Sequence, residues 1–181
     1  TLHNVNKTAV TKDYKKDILK ECGCIDFFEK YAMSTTPEEK VKILKDVIEK
    51  MNPYIHRIKK EDLTIGIVQK LFNMAVKLYT CIFMFKKELE IKLDLCAYNT
   101  DYADCPIDNG ILNSLEADKN FKENVNIIKK EAEKKNIPYL HYYSWSKIND
   151  EKTYVFLQNE IRRITNSPCA LQYDFFKWKE N

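Results

Sequence analysis

A lysine and an aspartate stand out in this sequence because their types and settings allow catalytic chemistry. Lys70 lies near the start of the dense apolar stretch 66–85, and Asp108 ends a Cys-Pro-Ile-Asp turn further along the chain. A lysine amine that is partly removed from water is a nucleophile and can form Schiff bases. A carboxylate beside it can direct the proton and stabilise positive charge that develops on a sugar ring. Lys70 and Asp108 are therefore the candidate catalytic pair.

Both residues also fit ordinary structural roles. The stem of Lys70 can cover the core while its amine reaches water. Asp108 can be a plain turn or cap residue, because the sequence Pro-Ile-Asp-Asn-Gly is suited to a turn. Asn73, on the same side of the apolar stretch as Lys70, is either a buried group satisfied by the backbone or a substrate contact.

The stretch 66–85 is the element that must position Lys70, and it reads GIVQKLFNMAVKLYTCIFMF. Its apolar residues follow helical spacing on nearly every face. A helix of this kind is either buried in a core or spans a membrane. Four polar residues interrupt one side of it: Gln69, Lys70, Asn73 and Lys77. This polar stripe argues against a membrane span and favours a central core helix.

The rest of the chain carries helix signals and few turn signals. Only 3 of its 181 residues are glycine and 5 are proline, which argues against a turn-rich β architecture. The sequence predicts one compact all-α domain over residues 1–181, with a loose N-terminus over 1–7. About seven to nine helices are expected in this domain.

Particular helix boundaries follow from capping residues. Thr36-Pro37-Glu38-Glu39 is a good helix start and predicts a helix to about Met51. Asn52-Pro53 is predicted to end that helix. An amphipathic helix is predicted over 119–135, and another over 150–165.

The connecting segments are predicted from the same signals. Asn149 is the predicted cap of the helix over 150–165. The stretch 94–104 lacks a period and is predicted to be a loop. The aromatic tail after Pro168 is predicted to pack back on the core.

Composition bounds the class of protein. Hydrophobic residues make up 44% and charged residues 31%, which is typical of a soluble domain. The formal net charge of +3 is compatible with nucleic-acid binding but does not establish it. No segment of signal-peptide or membrane-span character is present, so we predict a cytoplasmic protein without a membrane partner.

The cysteines and histidines show no metal-ligand spacing. The 6 cysteines form no CxxC pair, and the 3 histidines are far apart. We predict reduced thiols, no metal and no cofactor. The oligomeric state stays open.

The string Gly66-Ile67-Val68-Gln69-Lys70-Leu71-Phe72-Asn73, followed later by Cys105-Pro106-Ile107-Asp108, resembles the core of the helix-hairpin-helix DNA glycosylase superfamily. In that superfamily a glycine-containing turn leads into a helix with an early lysine, and a Pro-x-Asp motif stands at the head of a later helix. The sequence is most similar in character to the archaeal 8-oxoguanine DNA glycosylase branch.

The resemblance implies an enzyme that flips a damaged base out of double-stranded DNA into a cleft. Lys70 would attack the anomeric carbon and displace the base, and Asp108 would assist the proton transfers. The resulting Schiff base would permit strand cleavage by β-elimination. The expected substrate contacts are Gln69, Asn73, Trp145 and Trp178.

The sequence departs from the superfamily pattern in two places. The glycine-rich hairpin that grips DNA phosphate is represented only by Leu63-Thr64-Ile65-Gly66, with one glycine. The distance from Lys70 to Asp108 requires an insertion around 86–103.

Two alternatives lie outside enzyme chemistry. One is a non-catalytic helical module that binds nucleic acid or protein. The other is a subunit whose apolar central helix packs against another chain. An enzyme predicts Asp108 within a few ångströms of Lys70 at a cleft, whereas a binding module leaves Lys70 solvated or ion-paired.

Overall fold

The computed structural model describes residues 20–59, 62–88, 100–135, 140, 142 and 144–179, without the side chains of 56–59, 84–88 and 178–179. Seven α-helices have their full extent in these ranges: α1 Cys24–Met33, α2 Pro37–Lys59, α3 Ile65–Glu88, α4 Asn109–Ala117, α5 Lys119–Lys135, α6 Glu151–Thr165 and α7 Leu171–Lys179. The 3₁₀ turns Thr100–Tyr102 and Trp145–Lys147 lie between them. No strand occurs in the described ranges, and the all-α prediction is confirmed. The predicted loose N-terminus, 1–7, lies outside them.

Local signals mark the starts of the first two helices, and α2 begins where the sequence predicts. Gly23 has φ +63°, a left-handed conformation that ends the preceding helical turn and precedes α1. At the start of α2 the Thr36 hydroxyl accepts a hydrogen bond from Glu39 N at 3.2 Å. The Glu39 carboxylate in turn accepts from Thr35 N at 3.2 Å. This reciprocal cap explains why α2 begins at Pro37.

Helix α2 continues through Pro53 to Lys59, so the predicted break at Asn52-Pro53 is wrong. Proline removes the donor that the Glu49 carbonyl needs within the helix. Both Pro53 and Glu49 are exposed, so water can reach that carbonyl. The Asn52 side chain accepts from Leu63 N at 2.9 Å and holds the connection to α3 against the end of α2.

The core lies where α2 and α3 pack on their neighbours. Helix α2 packs against α1, α3 and α6, and α3 also contacts the Trp145–Lys147 turn. The largest fully buried side chains include Tyr31 of α1, Leu44 of α2 and Tyr154 of α6. Phe72 of α3 packs edge-on against Tyr31, with ring centroids 5.3 Å apart. These contacts make α3 the central element that the sequence predicts.

Burial of α3 is one-sided, however, so a helix that is apolar on nearly every face is a core helix on only one of them. Val68, Phe72 and Val76 are at most 5% exposed and face the core. Leu71 and Met74 are each 42% exposed on the opposite face. The apolar residues around this helix therefore serve two surfaces, one of which is open in the described structure.

The C-terminal half follows the predicted helix pattern closely. Helix α5 spans 119–135 as predicted. Helix α6 begins at Glu151, and its cap is Asp150 rather than Asn149, because Asp150 Oδ1 accepts from Thr153 N at 2.7 Å. The tail forms α7 and packs on the core through Leu171, which is 1% exposed.

Part of the stretch predicted to be a loop is described. Residues 94–99 lie outside the described ranges, and 100–102 form a 3₁₀ turn. In the described part of the chain, no helix combines the length and the apolar character needed to cross a membrane.

Candidate functional site

The Lys70 amine lies beside the Asp108 carboxylate, as the sequence predicts. Lys70 Nζ is 3.3 Å from Asp108 Oδ2. The lysine side chain is 28% exposed and the aspartate side chain 40% exposed. The same amine lies 4.6 Å from the centre of the Trp145 ring. Three predicted site residues therefore meet at a partly exposed point: Lys70 of α3, Asp108 at the start of α4 and Trp145 of a 3₁₀ turn.

Asp108 has a second role at the start of α4. Its Oδ1 accepts a hydrogen bond from Ile111 N at 3.0 Å, so it is the N-cap of this helix. The structural interpretation of Asp108 as a cap is therefore confirmed, and it holds together with the approach to Lys70. One carboxylate oxygen serves the helix while the other faces the amine.

Two glutamines fix the segment that leads to Asp108. Gln69 of α3 donates to Ile107 O at 2.8 Å and accepts from Ile107 N at 3.1 Å. Gln158 of α6 donates to Cys105 O at 2.8 Å and accepts from Cys105 N at 2.9 Å. Each side-chain amide satisfies both backbone groups of one residue, as a neighbouring strand would. The extended segment 105–107 is held on two sides in this way.

Asn73 completes this buried arrangement. Its Nδ2 donates to Gln69 Oε1 at 3.0 Å and to Cys105 O at 3.2 Å. Its Oδ1 accepts from the Tyr31 hydroxyl at 2.6 Å. Asn73 and Gln69 are both 0% exposed.

The two amides thus occupy different positions from those expected of substrate contacts. Neither Gln69 nor Asn73 has surface that a substrate could touch in this conformation, since the backbone of 105–107 uses their polar atoms. The sequence offered burial with backbone partners as the other interpretation of Asn73, and the structure shows that arrangement. Their contribution to the site is indirect, through the position of Asp108.

Gly66 brings the Trp145 turn onto the first turn of α3. Gly66 N donates to Ile148 O at 2.8 Å. A Cβ atom at Gly66 would lie 1.7 Å from the Trp145 carbonyl oxygen, so only glycine permits this approach. Thr64 adds a second hydrogen bond to this turn, since its hydroxyl donates to Ser146 O at 2.6 Å. These contacts place the indole next to Lys70.

The same contacts change the interpretation of the segment 63–66. In the resembled superfamily a hairpin grips phosphate with backbone N–H groups, but the Gly66 N–H is used inside this chain. The Ile67 N–H donates to the Thr64 hydroxyl at 3.2 Å. The segment therefore connects two parts of the domain and presents neither N–H to a phosphate.

A surface cavity of about 330 Å³ lies along one face of α4. Asn109 and Ser144, the chain neighbours of Asp108 and Trp145, are among its lining residues. The others are Leu112, Asn113, Glu116 and Tyr142. Most of these side chains are polar, so the cavity offers hydrogen-bonding groups.

Trp178, the remaining predicted contact, is placed only by its backbone. It lies in α7, and its side chain is outside the described residues. Helix α7 is joined to α3 by an ion pair of 2.6 Å between Lys77 Nζ and Asp174 Oδ2, whose side chains are 8% and 10% exposed. This pair repeats the lysine–aspartate combination of the site two turns further along α3, at a buried position.

A buried cluster around Asp104 was not found by sequence reasoning. Asp104 Oδ1 lies 2.5 Å from Arg162 Nη2 and 3.4 Å from Lys40 Nζ. The Tyr154 hydroxyl donates to Asp104 and lies 2.8 Å from the Tyr31 hydroxyl. Burial lowers the pKa of Lys40, an effect that Asp104 opposes, and burial raises the pKa of Tyr154 well above its usual range.

This cluster joins α1, α2 and α6 to the segment before Cys105. Lys40 belongs to a helix face rich in Lys and Glu that the sequence suggests is solvated, yet it is only 2% exposed. No local signal distinguishes it from the exposed lysines of the same helix. Its partner is 64 positions away along the chain.

The cysteines with described side chains carry free thiols: Cys22, Cys24, Cys81, Cys105 and Cys169. Burial raises the pKa of the Cys24 thiol to about 11. In the described ranges, no group of three or more His, Cys, Asp or Glu side chains is arranged to hold a metal ion.

Comparison of the chain with models of protein families, with curated proteins and with solved structures finds no match.

Proposed function

We propose that this protein is a DNA base-excision glycosylase with lyase activity, in which Lys70 is the nucleophile and Asp108 the carboxylate that manages protons and charge. The observation that carries the proposal is the 3.3 Å approach of Lys70 Nζ to Asp108 Oδ2. The two residues are far apart in sequence, and the fold brings them together at a partly exposed surface. Asn109, the chain neighbour of Asp108, lines the cavity described above. Double-stranded DNA is the partner in this proposal.

The chemistry needs a neutral amine and a nearby base. In the proposed reaction Asp108 accepts a proton from the Lys70 ammonium, and the amine attacks the anomeric carbon. The bond between that carbon and the base breaks, and the base leaves with its electron pair and takes up a proton. Opening of the sugar ring then gives a Schiff base. Loss of a proton from the neighbouring sugar carbon expels the 3′ phosphate by β-elimination, and water releases the lysine.

The surroundings of the pair are suited to a flipped nucleotide. The cavity of about 330 Å³ is at the lower end of the range for small-ligand sites, which is on the scale of one base. The Trp145 indole beside the amine offers a surface for stacking on a base or sugar. Asn109, Asn113 and Glu116 provide donors and acceptors along one wall.

The free thiols support the cytoplasmic location that belongs to this proposal, because thiols stay reduced in that compartment. A cytoplasmic enzyme also has access to chromosomal or foreign DNA in cells without a nucleus.

A second candidate is a non-catalytic helical module that binds nucleic acid or protein. Two observations favour it. Lys70 is ion-paired with Asp108, and Asp108 already has a structural role as a cap. The Gly66 N–H, which would correspond to a phosphate-gripping donor, is bonded to Ile148 instead. A module of this kind would use the exposed amine for a salt bridge to a partner and form no covalent intermediate.

Borohydride trapping on duplexes that contain 8-oxoguanine or an abasic site separates the two candidates. The glycosylase proposal expects a covalent protein–DNA adduct with wild-type protein and none with Lys70→Gln. Lys70→Arg retains a positive charge beside Asp108 but provides no nucleophilic amine, so it is expected to bind DNA without forming the adduct.

The matched control is Lys147→Gln, since Lys147 is an exposed lysine two residues from Trp145. Exposed lysines can react slowly with an abasic aldehyde, and Lys147→Gln measures that background. Adduct formation that is equal in Lys70→Gln and Lys147→Gln would contradict the proposal. No adduct from folded wild-type protein, with DNA affinity that falls steeply with salt, would establish the nucleic-acid-binding module.

A further inference from the structure

Helix α3 carries an apolar stripe on its outer face. Leu71 and Met74 are each 42% exposed, Leu78 is 63% exposed and Ile82 is 38% exposed. Ile67 is half-buried and lies on the same stripe by its helical spacing. Apolar residues at such spacing on an exposed helix are typical of a surface that packs against another helix. The core-facing residues Val68, Phe72 and Val76 are not part of this stripe.

The order of residues along the stripe is symmetric about its midpoint. The stripe contains Ile67, Leu71, Met74, Ala75, Leu78 and Ile82. Counting outward from the point between Met74 and Ala75, the two leucines are equidistant, and so are the two isoleucines. The sequence of side-chain types is therefore nearly the same when read in either direction.

This symmetry has a specific meaning for association. A two-fold interface is isologous. If one residue of the first chain contacts a second residue of the partner, that second residue in the first chain contacts the first residue of the partner. Two antiparallel copies of the stripe would place Leu71 against the partner's Leu78 and Ile67 against the partner's Ile82. Equal side-chain types then meet across the axis.

Charge along the stripe is also compatible with a second copy. No Asp, Glu, Lys or Arg lies on the stripe itself. Lys70 and Lys77 border one edge, and each is paired within its own chain, with Asp108 and Asp174 respectively. Because both lysines are neutralised in this way, the approach of an identical surface does not bring unpaired like charges together.

We propose that the stripe 67–82 of α3 is the interface of an antiparallel, two-fold symmetric homodimer. At 1.5 Å per residue, the stripe is about 22 Å long, enough for several layers of side chains between two helices. Met74 lies next to the centre, where it faces Ala75 of the partner subunit and its flexible side chain can fill the space that the small alanine leaves. This inference is independent of the proposed catalytic function, because Lys70 and Asp108 lie outside the stripe.

The first test is the mass of the full chain in solution, measured by sedimentation or light scattering from about 1 to about 100 µM. The wild type is expected to approach dimer mass as concentration rises. Leu78→Glu places a charge opposite the partner's Leu71 within the interface and is expected to remain monomeric over the same range. Ile127→Glu is the matched control, because Ile127 is 55% exposed on α5 and lies away from the stripe.

The second test addresses the antiparallel register. Leu71→Lys and Leu78→Glu are each expected to be monomeric alone, whereas an equimolar mixture is expected to dimerise. In the antiparallel dimer the new lysine of one chain faces the new glutamate of the other, while the remaining Leu71 and Leu78 still meet. A parallel arrangement would place both new charges against leucine and give no rescue.

Circular dichroism of each variant shows whether the fold is retained, and Leu78→Gln replaces Leu78→Glu if helicity is lost. A wild type that stays monomeric at about 100 µM overturns the proposal. A dimer that persists in Leu78→Glu, or that Ile127→Glu dissociates equally, also overturns it. Failure of the mixture to dimerise overturns the antiparallel register.

Discussion

Asp108 uses one carboxylate oxygen to cap helix α4 and points the other at Lys70, 3.3 Å away. The cap fixes the position of the carboxylate, because Oδ1 must stay within hydrogen-bond distance of Ile111 N. Only Oδ2 is left to face the amine. The negative charge beside Lys70 is thus held by the start of a helix, and the two glutamines that bond Cys105 and Ile107 fix the segment that leads to it.

This double role predicts different effects for two substitutions of Asp108. Asp108→Ala removes the cap and is expected to lower the free energy of unfolding by about 1 kcal/mol. Asp108→Asn retains a capping oxygen and is expected to lower it by less than about 0.5 kcal/mol, since the partly exposed ion pair contributes little. Urea unfolding of the two variants and the wild type measures both values.

The same variants separate stability from chemistry. Both remove the negative charge that faces Lys70, so the glycosylase proposal expects both to reduce the yield of borohydride-trapped adduct. An equal loss of stability in Asp108→Asn and Asp108→Ala would show that the cap is not the stabilising interaction. If Asp108→Asn gave as much trapped adduct as the wild type, the carboxylate would have no role in the proposed mechanism.

The close packing at Gly66 predicts that one added methyl group lowers the stability of the fold strongly. In Gly66→Ala the new Cβ atom would overlap the Trp145 carbonyl oxygen, at a distance of 1.7 Å. The Trp145–Lys147 turn must then move away, and the hydrogen bond from Gly66 N to Ile148 O is lost or strained. We expect a loss of at least about 2 kcal/mol in the free energy of unfolding. Thermal or urea unfolding measures it.

Gly110 provides the matched control within another helix. A Cβ atom there would meet Asp108 Oδ1 at 3.3 Å, which the carboxylate can relieve by a small shift. Gly110→Ala is therefore expected to change stability by less than about 1 kcal/mol, with a helix-propensity gain that offsets the contact. Equal effects of the two substitutions would contradict the close approach at Gly66.

The hydrogen bonds of Gln69 predict how much stability is lost when a buried backbone N–H and carbonyl have no partner. Its amide pairs with both N and O of Ile107, and its side chain is 0% exposed. Gln69→Leu has a similar size but leaves both backbone groups without a side-chain partner. We expect a loss of about 2–5 kcal/mol in the free energy of unfolding. The exposed Gln172 gives the control, and Gln172→Leu is expected to change stability by less than about 0.5 kcal/mol.

This result would also distinguish positioning from substrate contact. A folded Gln69→Leu protein with an intact surface would be expected to lose trapping only through displacement of Asp108. A loss of stability near zero would show that the backbone of Ile107 finds other partners, and Gln69 would then be available for a ligand.

Local signals predicted the helices well where a helix depends on its own residues. The capping box at Thr36 and the apolar stripe of 119–135 gave correct starts and a correct span, because caps and stripes are read within a few positions. Pro53 shows the limit of the same reasoning. A proline kinks or breaks a helix through its missing N–H and its ring, and whether the helix continues past it depends on tertiary packing that local signals do not show.

The site was predictable in part for a similar reason. Lys70 and Asp108 were found because each stands in a recognisable local setting. The burial of Gln69 depends on its contact with Ile107, 38 positions away, and no local pattern shows that contact. The position of Trp145 beside Lys70 depends on the approach to Gly66 in the same way. Sequence patterns identified these residues as polar or aromatic, and only the fold assigns their partners.

Asp118 predicts a pH dependence of stability with a definite sign. It caps α5, accepting from Phe121 N at 2.8 Å, and lies 3.2 Å from Arg163 Nη2. The backbone hydrogen bond from Phe121, with help from Arg163, lowers the pKa of Asp118 below its ordinary value of 3.8. A carboxyl whose pKa is lower in the folded state stabilises the fold at pH values above its unfolded pKa. That stabilisation is lost as the pH falls through the folded pKa.

Asp118→Asn keeps a capping oxygen and removes the titration, so it isolates the effect of charge. At neutral pH the wild type is expected to exceed Asp118→Asn in the free energy of unfolding by about 0.5 kcal/mol, as for a charge at an exposed helix N-terminus. The difference is expected to stay constant down to about pH 4 and to shrink below it. Urea unfolding at a series of pH values measures the difference, and a carboxyl NMR titration measures the pKa itself. A difference that grows as the pH falls would reverse the sign and show that Asp118 is stabilised in its protonated form.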